Sequence, residues 1–201
     1  AILIQSFQSY SQWTLDYTFS YSSISIRSIS IVDSNYIWFS TIDSGLYSHL
    51  YKKINNSINT INLPHQLRAS RLVSQDTSRL YLYSSIENRL LFTSNSGNNW
   101  AVRLDSAPNG SPIYFAIANN DPQFIVATSV QITDSSMSMF YSSTNGGITW
   151  QTQQLNLTAD NEVYSLSIND KLHIRIGLIC YNNCTELKYL FSDNGGTSWQ
   201  T

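Results

Sequence analysis

The amino-acid sequence predicts an all-β fold built from repeated antiparallel sheets, and three observations support this prediction. Short runs of alternating apolar and polar residues recur along the chain, whereas no stretch shows the 3.6-residue period of a capped helix. One eight-residue pattern occurs three times, with its tryptophans 50 and then 49 residues apart. Each repeat of 40 to 50 residues has room for four short strands, which is the signature of a β-propeller blade.

The recurrent pattern is [ST]-x-N-x-G-x-x-W, and its three copies align without gaps. Each copy follows a short run that contains an aromatic residue, such as Leu90-Leu-Phe92. This position predicts a tight hairpin turn between the third and fourth strands of a blade. The pattern residues are Thr93, Asn95, Gly97 and Trp100, then Ser143, Asn145, Gly147 and Trp150, then Ser192, Asn194, Gly196 and Trp199.

A second landmark is an aspartate that precedes a strand-like run in every repeat. Aspartate side chains accept hydrogen bonds from the backbone two residues on, so we interpret these residues as turn formers. The four aspartates are Asp33, Asp76, Asp121 and Asp170.

The two landmarks together indicate a single propeller region, 1–201, and they divide it into blades. We expect residues 1–20 to end a preceding blade and 156–201 to be an incomplete last blade. The blades between them are 21–63, 64–104 and 105–155. About four blades are few for a closed ring, so we expect the chain to be part of a larger propeller.

At the three recurrent segments the sequence resembles the Asp-box, or BNR-repeat, family of β-propellers in the sialidase-like superfamily. The motif of that family is S-x-D-x-G-x-[ST]-W. Segments 143–150 and 192–199 match it except for Asn in place of Asp, and 93–100 is looser. The blade that ends near Leu63 has Lys52-Lys-Ile-Asn-Asn56 where its box would be. The resemblance implies a fold rather than a function, because the family includes sialidases, endoglucanases, sortilin-type receptors, assembly factors and structural proteins.

The residue types of the box suit a turn. Asn can bond to nearby backbone N–H groups, Gly adopts a positive φ, and Trp buries a large apolar surface. The resemblance also implies that these turns lie at the periphery of the propeller. Since Asn carries no charge, calcium at the box is disfavoured.

No catalytic, metal or cofactor site emerges from the sequence. The seven arginines do not map onto the sialidase positions, and the three histidines show no metal-ligand spacing. Glycosidases of the Asp-box type use two carboxylates. Unassigned acidic residues are Asp16, Asp43, Asp105, Asp134, Asp160, Glu87, Glu162 and Glu186.

Cysteine and Asn-x-[Ser/Thr] positions are the remaining candidate sites. Cys180 and Cys184 stand where one strand ends and the next begins, at a spacing that allows a cross-strand disulfide and favours an oxidising compartment. Four sequons, about as many as chance gives, fall in predicted loops. They are Asn55, Asn109, Asn156 and Asn183.

Composition narrows the function class. Only 12% of residues are charged and the net charge is −2, so the chain lacks the basic surface that binds nucleic acid. No apolar run is long enough to span a membrane. The polarity comes from 48 Ser and Thr and 19 Asn, and many of these are expected in turns and on the polar faces of strands.

These observations lead to a hypothesis with two alternatives. The chain is expected to be a non-enzymatic scaffold or protein-binding propeller module of a secreted or cell-surface glycoprotein, closer to sortilin-type or structural propellers than to active sialidases. Expected partners are other protein chains or further blades, and N-linked glycans. The alternatives are a glycan-active hydrolase whose site is unrecognised or lies elsewhere, and an intracellular assembly factor.

Overall fold

The computed structural model describes residues 25–105, 113–129, 138–157, 161–180 and 188–201, and its regular elements are β-strands. No helix in these ranges is long and apolar enough to cross a membrane. The strands are β1 (Ser25–Ile31), β2 (Tyr36–Ile42), β3 (Ser48–Ile54), β4 (Ser57–Ile61), β5 (Ala69–Ser74), β6 (Leu80–Ser84), β7 (Arg89–Thr93), β8 (Ala101–Leu104), β9 (Ile113–Ala118), β10 (Asp121–Ser129), β11 (Met139–Ser143), β12 (Gln151–Gln154), β13 (Asn161–Ile168), β14 (Ile174–Cys180) and β15 (Tyr189–Ser192).

Consecutive strands pair antiparallel into four sheets, in which spatial order follows chain order. Sheets 1, 2 and 3 are four-stranded and contain β1–β4, β5–β8 and β9–β12, whereas sheet 4 contains β13–β15. A bridge between Phe191 and Gln200 extends sheet 4 beyond β15. This architecture confirms the predicted fold class of antiparallel blades. Residues 1–20 lie outside the described residues, and the division of the chain into blades stays a prediction.

The second strand is the most buried one in sheets 1 and 2. Every residue of β6 is buried, and so is every residue of β2 except Ile37. A middle strand is covered on both faces when sheets stack against each other. Its sequence is therefore a continuous apolar run, as in Leu80-Tyr-Leu-Tyr83, instead of an alternating one.

Three clusters of buried apolar side chains hold the sheets together, one between each pair of consecutive sheets. Trp38 and Leu72 belong to the cluster between sheets 1 and 2. Phe115 belongs to the cluster between sheets 2 and 3, and Ile176 to the cluster between sheets 3 and 4. The apolar core is therefore segmented along the chain, as expected for stacked blades.

Serine hydroxyls join the first strands of sheets 1 and 2. The Ser28 Oγ accepts a hydrogen bond from the Leu72 N–H at 2.9 Å, and the Ser30 Oγ accepts one from the Ser74 N–H at 2.7 Å. β9 also lies close to β13, whereas β5 and β9 are farther apart. The wider gap between β5 and β9 leaves room for a pocket.

Candidate functional site

The three Asp-box-like segments, called boxes below, are turns that directly follow β7, β11 and β15. In box 143–150, the Ser143 Oγ accepts from the Gly147 N–H at 2.9 Å and donates to the Asn145 Oδ1 at 2.9 Å. The same Oδ1 accepts from the Thr149 N–H at 2.9 Å. The equivalent bonds recur at 2.8–3.0 Å in the other boxes, among Thr93, Asn95, Gly97 and Asn99, and among Ser192, Asn194, Gly196 and Ser198.

The asparagine amide groups of two boxes bond to a hydroxyl four residues on. The Asn145 Nδ2 donates to the Thr149 Oγ1, and the Asn194 Nδ2 donates to the Ser198 Oγ, both at 2.8 Å. The serine or threonine hydroxyl and the asparagine Oδ1 of each box thus find their partners within the turn. No group of three or more His, Cys, Asp or Glu side chains among the described residues is placed to hold a metal ion.

The box glycine touches the preceding sheet as well as turning the chain. The φ angles of Gly97, Gly147 and Gly196 are 86°, 79° and 86°. A Cβ at Gly97 would lie 2.3 Å from the Ile61 Cγ2, and a Cβ at Gly196 would lie 2.4 Å from the Phe140 Cε1. Glycine is therefore required by both backbone conformation and space.

The box tryptophan reaches the same neighbour. The Trp150 Nε1 donates to the Arg103 carbonyl of β8 at 2.6 Å and to the Gly147 carbonyl at 3.0 Å. The Trp199 ring meets the Phe140 ring edge-on at 5.0 Å between centroids. Each box tryptophan packs on the cluster that its sheet shares with the preceding one, so a box fastens two sheets together.

The four turn aspartates connect the first and second strands of their sheets. In each case the Oδ1 accepts the backbone N–H two residues on, which is the turn geometry the sequence predicted. The pairs are Asp33 with Asn35, Asp76 with Ser78, Asp121 with Gln123, and Asp170 with Leu172, at 2.7–3.0 Å.

Sheet 1 has no box, and a two-residue turn joins β3 to β4. Asn55 adopts a φ of 52° there, and its N–H donates to the Asn35 carbonyl at 2.7 Å. Asparagine tolerates this left-handed conformation better than most residues.

The predicted modification sites are only partly within the described residues. Cys180 ends β14 and is disulfide-bonded, whereas Cys184 lies outside the described residues. The sequon asparagines Asn55 and Asn156 are exposed. Asn109 and Asn183 lie outside the described residues.

Each histidine lies beside one carboxylate, a pairing that the sequence did not predict. His49 contacts Asp43 at 3.1 Å and His173 contacts Asp170 at 2.8 Å, while His65 contacts Glu87. Of the remaining unassigned acids, Asp105 bonds to Arg89 at 2.7 Å, and Asp16, Asp134, Asp160 and Glu186 lie outside the described residues.

A pocket of about 560 Å³ opens where the first strands of sheets 1, 2 and 3 meet. Serine, aliphatic and tyrosine side chains and one arginine surround it. A β-bulge helps to form it, because Ala69 pairs with Ser84 and Arg71 with Tyr83, which leaves Ser70 as the extra residue. The lining residues are Ser28, Ile29, Ser70, Arg71, Leu72, Val73, Tyr83, Ser85 and Tyr114.

Arg71 is the cation of this pocket. Its guanidinium carbon lies 5.9 Å from the centroid of the buried Phe115 ring. Burial lowers the pKa of Arg71, which nevertheless stays charged at neutral pH. Among the described residues, none forms an ion pair or a hydrogen bond with Arg71.

Tyr114 adds a neutral hydroxyl on the other side of the pocket. Burial, and then the charge of Glu162, raises the pKa of Tyr114, so its phenol is protonated at neutral pH. The Tyr114 and Tyr164 rings lie 6.4 Å apart between centroids. The first strands β5, β9 and β13 thus bring together an arginine, two tyrosines and a glutamate.

Sequence reasoning did not assign this pocket. Arg71 and Tyr114 are 43 residues apart in different repeats, and their proximity depends on how the sheets stack. The available signal was an arginine in a strand that is otherwise apolar and hydroxylic, Ala69-Ser-Arg-Leu-Val-Ser74.

Comparisons with known proteins identify the fold. No family model matches the sequence, and no curated protein matches it. The structure is similar to the GH74 enzyme of Niastella koreensis, with a TM-score of 0.65 and 14% identity over 87% of this chain and 29% of that chain. The chain therefore spans less than a third of that enzyme.

Two further solved structures have bound partners. YCF48 bound to D1 peptide has a TM-score of 0.55 and 13% identity, covering 92% of this chain and 68% of that one. A chain of the nidogen/laminin complex has a TM-score of 0.58 and 11% identity, covering 85% and 66%. These proteins are β-propellers, so the likeness confirms the predicted propeller.

Proposed function

We propose that the chain is a non-enzymatic, protein-binding propeller module of a secreted or cell-surface glycoprotein, and that it holds a peptide segment of its partner in the pocket between the first strands. The observation that carries this proposal is the pocket itself. It draws residues from three sheets, and its volume of about 560 Å³ is in the range of small-ligand sites.

The composition of the pocket favours recognition of a polypeptide. Tyr114 offers rigid aromatic surface with a polar end, and Ile29 and Val73 offer aliphatic surface. Tyrosine and arginine are enriched at the centres of protein–protein interfaces. One pocket that combines them can anchor an extended segment.

The same composition argues against glycoside hydrolysis. Hydrolases of that type place two carboxyl groups about 5–9.5 Å apart across the scissile bond. None of the residues that line this pocket is an aspartate or a glutamate. The alternative of a glycan-active hydrolase therefore gains no support from the pocket.

Two kinds of observation support the proposed partner and compartment. Among structurally similar propellers, one is bound to a peptide and one belongs to a complex of two proteins. The disulfide at Cys180 favours an oxidising compartment, and the exposed Asn55 and Asn156 offer accessible glycosylation positions.

The test fills the pocket without disturbing the core. Ser70 is exposed and lines the pocket, so Ser70→Trp should block it, whereas Ser57→Trp places the same side chain on exposed β4. Binding of a randomised peptide pool to the full chain is measured for wild type and both variants. We expect wild type and Ser57→Trp to retain the same peptides and Ser70→Trp to lose them.

Two results would overturn the proposal. One is a pool that fails to bind, or that binds equally to Ser70→Trp. The other is hydrolysis of xyloglucan or an aryl sialoside at an ordinary enzymatic turnover, on the order of 1 s⁻¹ or more.

A further inference from the structure

Arg71 is a partly buried cation that lacks a carboxylate among the described residues, whereas three other arginines each have one. Arg79 pairs with Asp76 at 2.6 Å, Arg89 with Asp105 at 2.7 Å, and Arg175 with Asp193 at 3.1 Å. Removing a charge from water is unfavourable unless a partner compensates for it. The described residues offer Arg71 only the face of Phe115, so its guanidinium donors remain available to a ligand.

The surroundings of Arg71 define what kind of ligand fits. Tyr83 already donates its hydroxyl hydrogen to the Asn88 Oδ1 at 2.9 Å. The Tyr114 hydroxyl makes no hydrogen bond to another described residue and is held protonated by burial. Arg71 and Tyr114 therefore supply free donors at the pocket, and Ile29 and Val73 supply apolar surface beside them.

The charge count favours a monoanion. Arg71 is the single cation among the residues that line the pocket. A guanidinium matches a carboxylate in both charge and fork geometry. A phosphate dianion would leave a second negative charge without a partner in the same place.

We infer that the pocket takes a carboxylate of the bound peptide, with the carboxylate oxygens on the Arg71 guanidinium and the Tyr114 hydroxyl. This inference rests on the proposed function and specifies which group of the peptide is recognised. The carboxylate comes either from the peptide C-terminus or from an Asp or Glu side chain, and the experiment distinguishes the two sources.

The direct test uses small probes on the wild-type chain and observes the arginine Nε–H signals by NMR. Benzoate should shift the Arg71 signal, while benzamide, which has the same shape without charge, should not. Inorganic phosphate should bind more weakly than benzoate. Arg27 is exposed on β1 and lies outside the pocket, so its signal reports non-specific binding. If benzoate moves Arg71 no more than Arg27, or if phosphate binds better than benzoate, the inference is wrong.

The second test compares three acetylated peptide pools. One has a free C-terminal carboxylate and no acidic side chain, one is the amidated counterpart, and one is amidated with an internal glutamate. The amidated pool without acid should bind least, and the other two identify the source of the carboxylate. Arg71→Met should lower the affinity for the best-binding peptide about 10- to 100-fold. Arg71→Lys should lower this affinity less, and Arg27→Met should hardly change it.

The outcomes separate this inference from the proposed function. Peptides that bind equally with and without a carboxylate, and equally to Arg71→Met, would overturn the inference and leave the proposed function standing. Benzoate binding at Arg71 without binding of any peptide would overturn the proposed function and leave the carboxylate site at Arg71 standing. If Arg71→Met does not fold, the benzoate titration of the wild type decides.

Discussion

The Gly146 N–H, in box 143–150, donates to the Gln123 carbonyl at 2.9 Å and so joins the two turns at one end of sheet 3. Gln123 follows the turn aspartate Asp121 by two residues. The same bond runs from Ser96 to Ser78 in sheet 2, at 2.9 Å, and from Gly195 to Leu172 in sheet 4, at 3.0 Å. The box and the aspartate turn are therefore one hydrogen-bonded unit, repeated in each of these sheets.

The close approach of a box glycine to the preceding sheet should be measurable. Gly147→Ala and Gly196→Ala introduce the same strain, because both positions have a positive φ. At Gly196 the new Cβ would also overlap the Phe140 ring at 2.4 Å, whereas the nearest atom at Gly147 is the Arg103 Cβ at 3.1 Å. We expect Gly196→Ala to lower the free energy of unfolding by about 1–3 kcal/mol more than Gly147→Ala does. Equal losses in urea unfolding would show that only the backbone conformation matters.

The buried hydroxyl of a box should contribute measurably to the free energy of unfolding. Ser143 is buried, and its Oγ accepts from the Gly147 N–H. Ser143→Ala leaves that N–H without a partner, so we expect the free energy of unfolding to fall by about 1–3 kcal/mol. Thr144→Ala, at the exposed neighbouring position, should change it by less than about 0.5 kcal/mol. Similar effects of the two changes would contradict the hydrogen-bond network as described.

The box asparagine should tolerate aspartate but not an apolar residue. Asn145→Asp keeps the Oδ1 that accepts from the Thr149 N–H, and the Thr149 hydroxyl can turn to donate to the new carboxylate. We expect a change within about 0.5 kcal/mol for Asn145→Asp and a loss of about 1–2 kcal/mol for Asn145→Leu. Chemical denaturation of both variants checks this. A large loss with aspartate would mean that the amide donor is essential.

Asp170 should stabilise the fold in a pH-dependent way. Hydrogen bonds from the His173 and Leu172 N–H groups, and the His173 imidazole, lower the pKa of Asp170 to about 2. The folded pKa lies below the usual 3.8, so this stabilisation is complete above about pH 4 and is lost as the pH falls towards 2. His173→Gln should raise the pKa of Asp170 only partly, because the backbone donors remain. Carboxyl NMR titration measures both values, and an ordinary pKa for Asp170 in the wild type would contradict the turn geometry.

The sequence predicted what is local and missed what depends on stacking. The boxes and aspartate turns could be recognised because their bonds span two to four residues, as between Ser143 and Gly147. Contact between a box and the preceding sheet, such as Gly196 with Phe140, could not be predicted, since it joins residues from different repeats.

The candidate pocket was missed for the same physical reason. Arg71 and Tyr114 belong to different sheets, and the bulge at Ser70 sets the register that pairs Arg71 with Tyr83. Alternation in the sequence shows which residues share a face of one strand. It does not show which faces of different sheets meet.

Hydrogen exchange of the full chain, with and without the tightest peptide from the randomised pool, tests the central claim most directly. Binding between the first strands predicts slower exchange in β5 and β9, with the fourth strands β4, β8 and β12 unchanged. The same protection should disappear with Ser70→Trp and persist with Ser57→Trp. Protection confined to the fourth strands, or protection that survives Ser70→Trp, would contradict a peptide-binding pocket between the first strands.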